Sequence, residues 1–172
     1  MFEFIVLLIL LFFVLYIMVD SLKIGISPMP TNKKTSYKIL EILKNEKQEK
    51  IYELGSGFGS LAIFLATNLP NKKVIAYEVS IIPWLVSIIL KRLLKTDNLH
   101  IYRKDFLFEN LNDGVLVCYL FPKGMEKLED KIFDDTINTT IISNTFAFRN
   151  IKQRETLVVN DFLKTLIFIY RT

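Results

Sequence analysis

Three glycines within nine residues carry the first chemical signal. Tyr52 to Ser60 reads YELGSGFGS, with Gly55, Gly57 and Gly59 set between an apolar run and a helical pattern. Glycine at a strand-to-helix turn lets the backbone take a positive φ and lets a ligand approach where a Cβ would collide. The dinucleotide fingerprint G-x-G-x-x-G needs a glycine at position 60, where Ser60 stands; the pattern is E-x-G-x-G-x-G from Glu53. A second carboxylate, Glu78, closes the next apolar run, KVIAYE. An acid at that strand end can accept hydrogen bonds from both hydroxyls of a ribose lying across the turn. Asp105 follows a third run, where it either takes an adenine amino proton or is a solvated surface acid. Three acids at successive strand ends point to an adenosine-containing cofactor held by Glu53, Gly55, Ser56, Gly57, Phe58, Gly59, Glu78 and Asp105.

The elements that must position these residues alternate. The spacing predicts a helix over 35–45, then strand, glycine turn and helix over 51–68. It continues with a strand at 73–78, a helix at 83–95 and a weak strand at 99–103. Gly114 to Phe121 (GVLVCYLF) reads as a buried strand, followed by a helix over 123–131 and a strand at 139–143. Two closing strands, 155–159 and 166–171, have no helix between them. Strand–helix alternation implies a mostly parallel sheet, and the closing pair an antiparallel edge. The expected architecture is a Rossmann-like α/β three-layer sandwich.

The 172 residues allow one such domain and exclude a two-domain oxidoreductase. At 51% hydrophobic the chain is not disordered, and much of the apolar excess sits at one end. Phe4 to Val19 is uninterruptedly apolar, about 24 Å as a helix against the ~30 Å hydrocarbon core of a bilayer. No basic residue precedes it and no small-x-small cleavage site follows, which favours an uncleaved transmembrane anchor over a signal peptide. Lys23, Lys33, Lys34 and Lys38 follow the run, so the positive-inside rule puts the rest of the chain in the cytoplasm. The organisation read from sequence is therefore an anchor at 1–22, a linker or lid at 23–34 and a catalytic domain at 35–172. Beyond the anchor the basic excess is modest, suited to an anionic membrane surface and too weak to argue nucleic-acid binding. A single cysteine, Cys118, and a single histidine, His100, leave no disulfide, zinc cluster or histidine-based metal site to expect.

Glu53-Leu54-Gly55-Ser56-Gly57, Glu78 and Asp105 together resemble the class I S-adenosylmethionine-dependent methyltransferases. The resemblance implies Glu53 in the first motif, Glu78 on the ribose and Asp105 on the adenine side, with S-adenosylmethionine as cofactor. The membrane run, SPMPT, ELGSGFG, YEVSIIPWL and VCYLFP are more narrowly similar to small membrane-anchored enzymes akin to ATP synthase c-subunit lysine methyltransferase. That likeness implies a lysine of a membrane protein as acceptor, and Pro30 and Thr31 as part of a lid over the cofactor; a stiff linker is the alternative. Two positions depart from the familiar D-L-G-S-G-D-G: Glu53 keeps the carboxylate, and Phe58 replaces an acid with an aromatic.

Methyl transfer to an amine asks a protein mainly to align donor and acceptor and to exclude water. A lysine must first be neutral, which a dry aromatic site favours by lowering its pKa. Tyr119, Phe121 and Pro122 end the strand after Asp105, where this fold presents its acceptor pocket. The two aromatics either offer π faces to a cationic substrate or pack as core. Trp84 either touches the bilayer, closes over the adenosine or is core. Ser143, Asn144 and Thr145 either orient the acceptor amine or are turn residues.

Overall fold

The computed structural model describes residues 3–8, 10–12, 14 and 30–172. Seven strands form one sheet in the order β3-β2-β1-β4-β5-β7-β6. In chain order the elements are α1 (Lys33–Asn45), β1 (Lys50–Leu54), α2 (Ser60–Asn68), β2 (Lys73–Tyr77), α3 (Ile81–Leu94) and β3 (Leu99–Tyr102). They continue with a 3-10 turn (Phe106–Phe108), β4 (Gly114–Cys118), α4 (Pro122–Asp134), β5 (Thr140–Asn144), β6 (Glu155–Val158) and β7 (Leu166–Arg171). Strands β1 to β5 pair in parallel, and β7 runs antiparallel between β5 and β6. This is the predicted Rossmann-like α/β sheet with its antiparallel C-terminal pair.

Alternation along each strand divides the core. Ile51, Val74, Val115 and Val117 face α1 and α2, together with Ile39, Leu43 and Leu65. Tyr52, Leu54, Leu116 and Cys118 face the other way, onto Leu128 and Ile132 of α4. The two faces are the period-2 signature of a sheet covered on both sides. Asn32 caps α1, its side chain accepting from the Thr35 N–H at 2.9 Å. Helix α3 fully buries only Pro83 and Ser87 and leaves Ile81, Leu85, Ile89 and Leu93 exposed.

One expectation is corrected here, and a second lies largely beyond the described residues. The strand expected over 114–121 ends at Cys118, because its last parallel partner is Ser143. Phe121 becomes the N-cap residue of α4, and Pro122 takes the first helical position, where its missing N–H costs nothing. The transmembrane anchor expected over 1–22 falls largely outside the described residues, as does most of the 23–34 linker. Residues 3–8, 10–12 and 14 are helical and exposed, and among the described residues no helix is long and apolar enough to cross a membrane.

No helix separates β5 from β6. The intervening loop is held instead by the buried Glu129 of α4, which accepts from the Asn150 N–H at 2.7 Å, the Ile151 N–H at 2.9 Å and the Asn150 side chain at 3.1 Å. Removing this carboxylate strands two backbone donors, so Glu129→Ala should cost roughly 2–4 kcal/mol of stability. A urea midpoint indistinguishable from the parent's would contradict that role.

Candidate cofactor and acceptor site

Strand β1 lies between β2 and β4, so the strand order reverses beside it, the point at which open α/β sheets bind ligands at their carboxyl ends. The residues singled out in the sequence gather along that edge. Gly55, Gly57 and Gly59 take φ values of +77°, +53° and +76°. The turn is fastened to β2, with the Gly55 and Ser56 N–H groups donating to the Tyr77 carbonyl at 3.0 and 2.9 Å. Glu78, buried, accepts from the Gly57 N–H at 2.7 Å through Oε2 and from the Ser80 N–H at 2.8 Å through Oε1. Each of its oxygens keeps acceptor capacity for a further donor. The Glu78 N–H in turn donates to the Tyr102 carbonyl, tying the ends of β2 and β3 together.

The glycines differ in what surrounds them. A Cβ on Gly59 would sit 2.7 Å from the Ser87 Cβ of α3, so this glycine is required by helix packing. A Cβ on Gly55 would meet Leu120 at 3.0 Å, whereas one on Gly57 would meet nothing within 4 Å. The space beside Gly57 is open.

Buried polar atoms without partners point the same way. Five such side-chain atoms occur among the described residues, and three belong to this region: Glu53 Oε2, Ser56 Oγ and Trp84 Nε1. Buried polar groups are rarely left unsatisfied, so these atoms have room for a partner from outside the protein, a water or a ligand. Burial first, and the Glu78 charge second, push the Glu53 carboxyl up to about 8; the Ala62 N–H opposes them. With its ordinary value at 4.5, the folded state binds the extra proton between pH 4.5 and about 8. Stability of the ligand-free chain should therefore be fullest below that window and fall as pH rises through it. Urea midpoints measured from pH 5 to 8.5 should show this slope, and Glu53→Gln should flatten it; parallel curves would remove Glu53 from the account.

Asp105 is partly buried at the end of β3, and its Oδ1 caps the 3-10 turn by accepting from the Leu107 N–H at 3.0 Å. On the other side of β1, Tyr119 follows β4 half-buried and stacks on Phe146, centroids 6.2 Å apart. Phe121 and Pro122 are exposed at the start of α4. Phe58 is half-buried within the turn. Pro30 is exposed and Thr31 half-buried, immediately before the Asn32 cap.

Two participants were not singled out by sequence. Ser80 and Ser87 matter through a backbone N–H and a Cβ contact, neither of which leaves a sequence signal. Asn144 is buried at the end of β5 and accepts from the Thr145 hydroxyl at 3.0 Å. Thr145 itself has φ +70°, unusual for a β-branched residue. Cys118 is buried, and burial pushes its thiol up to about 12, consistent with an inert core residue. Among the described residues no three His, Cys, Asp or Glu side chains are grouped to hold a metal ion.

No family model and no curated protein sequence matches the chain. Its fold does match solved structures. An RNA methyltransferase from Salinibacter ruber in complex with S-adenosyl-L-homocysteine superposes with a TM-score of 0.72 at 19% identity, covering 83% of this chain and 93% of that one. A precorrin-6y C5,15-methyltransferase from Geobacter metallireducens gives 0.61 at 11%, covering 83% and 89%. An S-adenosylmethionine-dependent O-methyltransferase from Thermotoga maritima gives 0.61 at 14%, covering 84% and 67%. The chain thus has the class I methyltransferase fold. These likenesses do not reach the narrower membrane-anchored group. They also lend no support to excluding nucleic acid, since one neighbour is an RNA methyltransferase.

Proposed function

We propose that this chain is an S-adenosylmethionine-dependent methyltransferase. The observation that carries the proposal is the glycine turn locked to Glu78 with Glu53 Oε2 and Ser56 Oγ buried and unpartnered beside it. The residues fit the cofactor: Glu78 would take the ribose hydroxyls, Asp105 the adenine edge, and Gly55 to Gly59 would allow close backbone approach. When bound, S-adenosylmethionine supplies an electrophilic methyl group on a sulfonium, open to in-line displacement.

The acceptor we infer is the ε-amine of a lysine in a membrane protein, with the catalytic domain on the cytoplasmic side. The apolar N-terminal run supports this reading, because confinement near a bilayer raises the effective concentration of a membrane substrate. Tyr119 with Phe146, and Phe121 beyond them, would offer aromatic faces to a cation and a dry setting in which it sheds its proton.

Membranes from cells lacking the protein, incubated with purified enzyme and methyl-labelled S-adenosylmethionine, test the assignment. Label in a protein band, recovered as methyl-lysine and lost with Glu78→Ala, is the expected result. Label in the lipid extract would move the acceptor to a phospholipid amine. Label in added total RNA would move it to nucleic acid, and no label anywhere would overturn the enzymatic reading.

A further inference from the structure

The end of the β6–β7 hairpin is the most exposed apolar feature of the sheet domain. Phe162 is 99% exposed and Leu163 76%, and the flanking Val158 and Leu166 are exposed as well. The loop that presents them is internally bonded. Asp161 accepts from the Thr165 N–H at 2.9 Å and the Thr165 hydroxyl at 2.6 Å, and the Val159 N–H donates to the Thr165 carbonyl at 2.8 Å. Aromatic and aliphatic side chains held outward on a fixed loop mark an interaction surface.

Its surroundings select the partner. Lys34 and Lys164 lie at the tip, both ammonium groups on Asn160; the Asp161 carboxylate there is taken up by Thr165 and Asn32. The Asn32 side chain donates to Asp161 at 2.7 Å and the Lys34 ammonium to the Asn160 carbonyl at 2.7 Å, fixing the start of α1 against the loop. The described chain resumes at Pro30, two residues before Asn32, whose side chain bonds Asp161, the neighbour of Phe162. Since β7 runs antiparallel to β5, this hairpin end is on the carboxyl edge of the sheet, with the glycine turn and Tyr119. An apolar wedge flanked by two lysines, on the edge that must meet the acceptor, has the chemistry of an element that enters an anionic lipid surface.

We propose that Phe162 and Leu163 insert into the headgroup region of an anionic bilayer and seat the catalytic edge on it. This extends the membrane-substrate reading to a second contact, and its test reads position rather than methyl transfer, so the two can fail separately. The full chain carrying Phe162→Cys takes a polarity-sensitive fluorophore at that site, because the native Cys118 is 1% exposed. Leu163→Cys is a second reporter, and Asn138→Cys, exposed at the opposite edge, is the control. Each is bound to phosphatidylcholine–phosphatidylglycerol vesicles containing a lipid with a shallow nitroxide. The expected result is a blue shift and quenching several-fold stronger at 162 and 163 than at 138, both reduced in vesicles without phosphatidylglycerol. Equal quenching at the three sites, or no association with vesicles, would overturn the proposal. So would a blue shift at 162 without vesicles accompanied by a doubled mass, which would give the tip to a second copy of the chain.

Discussion

A chain carrying Glu78→Ala is expected to lose S-adenosylmethionine binding by about 100-fold or more, the equivalent of two charge-assisted hydrogen bonds. The loss has two sources. The carboxylate is the acceptor proposed for the ribose hydroxyls, and it also holds the Gly57 and Ser80 N–H groups at 2.7 and 2.8 Å. Without it the turn between β1 and α2 keeps its two bonds to the Tyr77 carbonyl but loses the clamp on its middle glycine. Glu78→Gln keeps one acceptor oxygen and turns the other position into a donor, so its loss should be nearly as large despite similar shape. Calorimetric titration with S-adenosyl-L-homocysteine measures this, alongside circular dichroism to check the fold. Binding unchanged in both variants would remove Glu78 from the site.

Alanine at Gly57 and at Gly59 should separate binding from folding. Both positions have positive φ, and forcing an L side chain into that region costs roughly 1–2 kcal/mol. At Gly57 nothing lies within 4 Å of the new methyl group, so the strain is the whole stability cost. The methyl group does occupy the proposed cofactor cradle, and affinity should fall at least tenfold, about 1.4 kcal/mol. At Gly59 the methyl group lands 2.7 Å from the Ser87 Cβ, and α3 must move away. Overpacking adds a further 1–3 kcal/mol, for a total of about 2–5 kcal/mol. In a domain of this size the melting temperature should drop by roughly 5–15 °C. Equal melting temperatures for the two variants would mean that the helix does not rest on the turn.

These predictions rest on features of unequal visibility in sequence. The glycine turn was legible because three residues without a Cβ fall between a strand pattern and a helix pattern, a local signal. Glu78 and Asp105 were legible by spacing alone, since one ends an apolar run and the other follows one after two basic residues. Where β4 stops was not, because Tyr119, Leu120 and Phe121 continue the apolar pattern while their pairing partners run out at Ser143. The hold of Glu129 on residues 150 and 151 and the contact of Gly59 with Ser87 bridge more than 20 residues, and neither alters a periodicity. The orphaned atoms of Glu53, Ser56 and Trp84 become visible only once burial is known. The anchor reading rests on the hydropathy of a segment that the described residues cover only in part.

The interior position of β1 has a further consequence for the newly made chain. One neighbour, β2, follows it closely, but the other, β4, comes about sixty residues later, on the order of several seconds at ordinary elongation rates. Throughout that interval the strand bearing Glu53 has one ladder edge bare, open to any other extended segment. Slow translation between Leu54 and Gly114 would lengthen this vulnerable period without altering a single contact of the finished protein.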